Sequence, residues 1–140
     1  MDNLIFVLEH NENSYKVITE FETWKTAIMN DMERFRSENI EYMQKHTLSD
    51  EIFVLLSGNC VLFVATGDEK PEELIAVPME HYKVYNIKKG VWHTHTFAKN
   101  TKVFIVENSN TCDENSPKYF NLTKEQKSYV VQFSKENNIE

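Results

Sequence analysis

A chain of 140 residues, 41% hydrophobic and 12% aromatic, is sized for one domain with one core and is too apolar to be a disordered segment. Its formal net charge of −7 argues against a nucleic-acid partner, because phosphate binding needs clustered Lys and Arg. No apolar stretch approaches the ~20 residues of a membrane span. The first residues lack the basic region of a signal peptide, and the two cysteines, Cys60 and Cys112, form neither a disulfide framework nor a CxxC pair. The expectation is a cytoplasmic protein with free thiols.

Leu4 to Leu8 reads as a first strand, rich in β-branched and aromatic residues. Tyr15 to Phe21 suits a second. Trp24 to Met29 fits a strand or one helical turn, and is taken as a strand. Residues 30–35 fit a short helical turn or loop. Ile40, Tyr42, Gln44 and His46 share one face of the next strand, because successive side chains alternate faces. Glu51 to Ser57 is apolar at both parities, the pattern of a strand covered on both faces. Ser57-Gly58-Asn59 reads as a tight hairpin into Cys60 to Ala65. Leu74 to Val77, Tyr82 to Ile87, Trp92 to Ala98 and Lys102 to Glu107 continue the series. The three glycines, Gly58, Gly67 and Gly90, fall between strand patterns, as tight turns require. About nine or ten short strands with regular turns predict a mainly β sandwich or barrel.

The end changes character. Residues 108–117 form a polar loop. Thr123 and Gln126 fit a capping box, and Tyr129, Val130 and Phe133 make a helix-spaced stripe. A C-terminal helix over residues 123–137 is expected, packed on the barrel or on a neighbouring subunit.

The candidate site lies in two stretches. His46 precedes Glu51 by five residues across a turn, and the run closes at Gly58. Gly90 opens the second, where His93 and His95 share a strand face. The other two histidines, His10 and His81, flank polar stretches and are expected in solvent. There is no Gly-rich phosphate loop, no Gly-x-Ser-x-Gly elbow and no His-Glu-x-x-His.

The residues His46, Glu51 and Gly58, together with Gly90 and His93, resemble the two sequence motifs of the cupin superfamily, and the chain looks like a small single-domain, RmlC-like cupin. The likeness spans roughly residues 38 to 108. It departs at Gln44, where the motif has a histidine, at Glu38 and Tyr82, where it has glycines, at Lys88 (proline) and at Phe97 (asparagine). It implies a double-stranded β-helix, a jelly-roll-like barrel, with residues 1–37 adding N-terminal strands to a single domain over residues 1–140. It also implies a homodimer.

The family's metal ligands fall here on Gln44, His46, Glu51 and His93. Gln44 is a weak, neutral donor, and the other three match the two-histidine, one-carboxylate triad of non-haem iron. Zinc, manganese, nickel or cobalt suits the same donors. His95 would replace the missing imidazole, act as an acid or base behind the ligands, or be a packed core histidine. The implied function is a metal-dependent enzyme acting on a small polar or carbohydrate-like molecule by isomerase, lyase or dioxygenase chemistry. A non-catalytic, metal-free binding cupin and a metal-free isomerase with His46 or His93 as base remain alternatives.

Overall fold

Residues 3–111 and 118–139 are described by a computed structural model. Cys112, expected in a polar loop, lies outside them. The strands are β1 (Tyr15–Phe21), β2 (Trp24–Asn30), β3 (Tyr42–Lys45), β4 (Glu51–Ser57), β5 (Cys60–Ala65), β6 (Leu74–Pro78), β7 (Val84–Ile87), β8 (Trp92–Phe97), β9 (Lys102–Asn108) and β10 (Lys118–Asn121). Among the described residues one α-helix, α1 (Lys124–Glu136), follows. Two five-stranded antiparallel sheets result, ordered β1-β2-β9-β4-β7 and β10-β3-β8-β5-β6. After β2 the chain changes sheet at nearly every connection; only β5 and β6 are consecutive and paired. This is a jelly-roll barrel, mainly β, and no helix among the described residues is long and apolar enough to cross a membrane.

Parity explains the layers. On β8, His93, His95 and Phe97 face the space between the sheets, while Trp92 and Thr96 face α1. On β5, Cys60 and Leu62 face inward, and Val61, Phe63 and Ala65 pack in a second cluster with Val130 of the helix. Burial pushes the Cys60 thiol far above its usual range, so it is an inert core group. Thr123 caps α1 by accepting from Gln126 N–H, and the Gln126 side chain reaches back to the Thr123 amide, which is the expected capping box.

Four expectations are corrected. Residues 4–8 form no strand; they are exposed, and neither sheet edge pairs with them. The strand covered on both faces is β5. On β4 only Glu51, Phe53 and Leu55 are buried, since among the described residues no helix lies over the outer side of its sheet and Ile52, Val54 and Leu56 stay half-exposed. The turn at Gly58 is not a hairpin within one sheet; it carries the chain from one sheet to the other. His10 is buried, and Asn30 and Lys102 donate to its carbonyl.

Gly58 sits at φ +80°, and a Cβ there would overlap both the Thr101 backbone and its hydroxyl. Gly90 has a similar φ of +82° with open space around it. Gly58→Ala is therefore expected to lose about 2–4 kcal/mol by denaturant unfolding, from strain plus overlap. Gly90→Ala should lose about 1–2 kcal/mol, from strain alone. Equal losses would contradict the crowding at Thr101.

Candidate metal centre

Glu51 opens β4 in one sheet, and His93 lies on β8 in the other. His46 follows β3, the neighbour of β8. The two sequence stretches are tied together by backbone: Gly90 N–H donates to the His46 carbonyl at 2.8 Å. This bond holds the turn before His93 against the turn before Glu51. The spacing of His46 and Glu51 therefore joins opposite walls of the barrel at one end.

Glu51 Oε1 lies 3.2 Å from His93 Nε2 and 3.4 Å from His46 Nε2. One donor atom from each of the three residues lies within 4.8 Å of the others, and all three residues are buried. None of these approaches is aligned as a hydrogen bond: Glu51 Oε1, His93 Nε2 and both ring nitrogens of His46 have no hydrogen-bond partner. His93 Nδ1 is 2.9 Å from the Val91 carbonyl and must donate to it. In the neutral ring this leaves a bare lone pair on Nε2, aimed at a carboxylate oxygen. Two acceptors facing each other at that distance repel unless a proton or a cation lies between them. Three convergent orphan donors of this type fit a divalent cation, and the second-side hydrogen bond from Nδ1 is the usual way a ligating histidine is oriented.

Burial alone would raise the Glu51 pKa; positive charge facing it from the imidazole side outweighs burial and holds the carboxyl well below its usual range, and a cation between the donors would supply the same charge. Glu107, the in-register neighbour of Glu51 on β9, shows the opposite shift. Burial, then its contact with Glu51 and the Glu51 charge, push it up to about 8, against a hydrogen bond from Tyr15 at 3.0 Å and the Lys25 ammonium at 3.8 Å. Two touching buried carboxyls keep one proton between them, and it resides on Glu107.

Gln44 is in register with His93 and lines the same cavity. That cavity, of about 530 Å³, is also lined by Tyr15, Lys25, Arg34, Tyr42 and Tyr119. His95 is on its wall but packs between aromatic rings, 4.5 Å from Phe35, 4.9 Å from Phe97 and 5.7 Å from Phe53. Burial first, then the His93 and Arg34 charges, lower its pKa to about 3, so the imidazole is neutral at physiological pH. Its Nε2 is buried without a partner. Glu107, Lys25 and Arg34 were not expected from the sequence. For Glu107 the signal was there: it has the inward parity of Val103 and Ile105.

No protein-family profile matches the sequence, and no curated protein matches it significantly. Solved structures do. A variant of Streptomyces Pac13 with uridine aligns over 92% of this chain and 98% of its own, with a TM-score of 0.58 and 9% identity; Pac13 is described as a nucleoside dehydratase. CapF of Staphylococcus aureus, a capsular polysaccharide assembling protein, aligns over 81% of this chain and 33% of its own, with a TM-score of 0.55 and 17% identity. Both are cupin-fold proteins. The chain has the cupin fold. A cupin-2 domain protein of Shewanella frigidimarina aligns more loosely, over 71% of this chain and 84% of its own, with 20% identity and a TM-score of 0.49. At such identities the likeness of this chain to its neighbours concerns the fold.

The Glu107 shift has a sign that can be tested. The folded state binds this proton more tightly than the unfolded chain, so metal-free protein loses stability as pH rises from about 4.5 through about 8. Glu107→Gln cannot ionise and should gain on the wild type across that window, by an amount on the order of a few kcal/mol. Unfolding curves of the two proteins that stay parallel from pH 5 to 9 would show that no proton is held there.

Proposed function

We propose that this cupin is a small cytoplasmic metalloenzyme acting on a small polar or carbohydrate-like molecule, by isomerase, lyase or dioxygenase chemistry. His46, Glu51 and His93 hold the cation, with iron, zinc, manganese and nickel all suited to the donors. Gln44 is its fourth, weaker donor or a contact to substrate. The observation that carries this reading is the set of three buried donor atoms, convergent and unpaired, on the wall of a cavity that a small molecule fits. The uridine held by Pac13 supports a small-molecule ligand for the fold.

A bound cation supplies Lewis acidity, polarising a substrate oxygen or activating water or dioxygen. The chain's own groups do the rest. The Val91 carbonyl fixes the His93 ring so that Nε2 stays available. Glu107 holds a proton beside Glu51, oriented by Tyr15. His95, kept neutral by its aromatic surroundings, offers Nε2 as a hydrogen-bonding atom or weak base to a substrate group. Phe53 and Ile105 are buried apolar residues lining the same cavity, and low-dielectric surroundings strengthen the electrostatic contacts beside them.

Glu51→Gln and His93→Ala should each weaken metal binding about 100-fold or more, read by titration of manganese or zinc, with the circular dichroism unchanged. Gln44→Ala should weaken it less, by about 10-fold. Negligible metal uptake by the wild type, unaltered by either substitution, would overturn the metal reading and favour a metal-free ligand pocket.

A homodimer is part of the same proposal. Leu4, Ile5, Phe6, Val7 and Leu8 are between 48% and 88% exposed, and Phe21, Trp24 and Val84 are exposed at the sheet that no helix covers. Five consecutive large apolar side chains supply most of the ~800 Å² that each partner contributes to a specific interface. The wild type is expected to sediment as a dimer, and the double substitution Leu4→Ser with Phe6→Ser as a monomer. A monomeric wild type at micromolar concentration would contradict this.

A further inference from the structure

The cavity beside the proposed metal centre is lined by five charged side chains, and four of them are already matched. Lys25 donates to the Thr111 carbonyl at 2.6 Å and lies 3.8 Å from Glu107. Glu107 accepts from Tyr15. Glu41 pairs with Lys127 at 2.7 Å. Glu51 faces the two imidazoles. Arg34 is the exception. Its guanidinium lies 4.7 Å from the centre of the Phe35 ring and has no anionic partner among the described residues. Its neighbour in the chain after Phe35, Arg36, shows the contrast: that guanidinium is buried and bound by both oxygens of Asp31 at 2.6 and 2.9 Å.

We propose that Arg34 is the recognition group for an oxyanion, a carboxylate or phosphate, carried by the ligand whose other end reaches His46, Glu51 and His93. Arg34 is an exposed residue on the cavity wall, and a series of ring contacts runs from it toward that set. Arg34 stacks on Phe35, Phe35 packs against His95 at 4.5 Å, and His95 lies two residues from His93 on the same strand face. A guanidinium held on an aromatic face keeps its outward N–H fork free, and that fork matches the paired oxygens of a carboxylate or phosphate. The chemistry also answers a difficulty of the charge balance. With a net charge of −7, the protein repels anions at long range. An unmatched cation on a concave wall reverses the field locally and makes the pocket selective for an anion over a neutral polar molecule. A neutral sugar would leave this group unused.

The proposal rests on the metal reading for the ligand's second anchor, and its test separates the two. Three three-carbon probes, glycerol, glycerate and glycerol 3-phosphate, are titrated by calorimetry into the full-length protein. Each is run twice, once manganese-loaded with occupancy measured, once after chelation. At least one anion should bind the wild type about 10-fold or more tightly than glycerol, and the better anion names the class. In Arg34→Gln that advantage should fall to within about twofold, with manganese occupancy unchanged. Arg34→Lys should keep part of it. Arg34-dependent anion binding without manganese uptake would uphold the anion site and sink the metal reading. An anion advantage that survives in Arg34→Gln, or no anion preference in either metal state, overturns the role of Arg34.

Discussion

The buried carboxylate of Glu51 is the constraint around which this end of the barrel is arranged. A carboxylate withdrawn from water is strongly unfavourable unless charge or hydrogen bonds replace its hydration. Here the groups facing it are two imidazoles, neither aligned to donate, and the second carboxyl of Glu107. The protein meets the anion–anion contact by keeping a proton on Glu107, with Tyr15 and Lys25 behind it. It leaves the imidazole side open. A divalent cation at the meeting point of His46, Glu51 and His93 would turn three convergent, unpartnered atoms into ligands.

The fold serves that arrangement through strand alternation. Because the chain passes from sheet to sheet after most strands, residues close in sequence face one another across the barrel rather than along one ladder. His46 and Glu51 are brought together in this way, and the bond from Gly90 N–H to the His46 carbonyl adds the second motif. At the other end, Gly58 makes the sheet-to-sheet turn where only a residue without Cβ fits against Thr101. The helix α1 covers the outside of one sheet only. The uncovered sheet carries the exposed Phe21, Trp24 and Val84, and Leu4 to Leu8 are exposed as well.

Much of this was legible in the sequence, for reasons that differ by element. Strands such as Tyr15–Phe21, Glu51–Ser57 and Cys60–Ala65 were marked by β-branched runs and bounded by turn residues, and the helix by its cap at Thr123. Period-2 spacing alone put His93 and His95 on one face. What local pattern cannot encode is pairing. Leu4 to Leu8 has the composition of a strand, yet a strand exists only where an edge accepts it. Apolar residues at both parities did not distinguish β4 from β5, because only the position of α1 decides which strand is covered twice. His10 looked exposed, since its burial comes from Asn30 and Lys102, contacts distant in sequence. Arg34 and Lys25 belong to the pocket through a connecting turn and a strand of the opposite sheet, with no motif to announce them. Lys25 and Glu107 are cross-strand partners, a relation visible only once β2 and β9 are paired.

The site therefore combines a donor set that the sequence displayed with a surround that only the fold could assemble. What lies between the three donor atoms decides how that set works. The most direct measurement is the X-ray absorption spectrum of the protein loaded with zinc or manganese. Scattering from two imidazole rings and one carboxylate bound directly to the metal, at about 2.0–2.2 Å, is expected, with one ring lost in His93→Ala. A spectrum of the free aqueous ion, or one unchanged in His93→Ala, would contradict this.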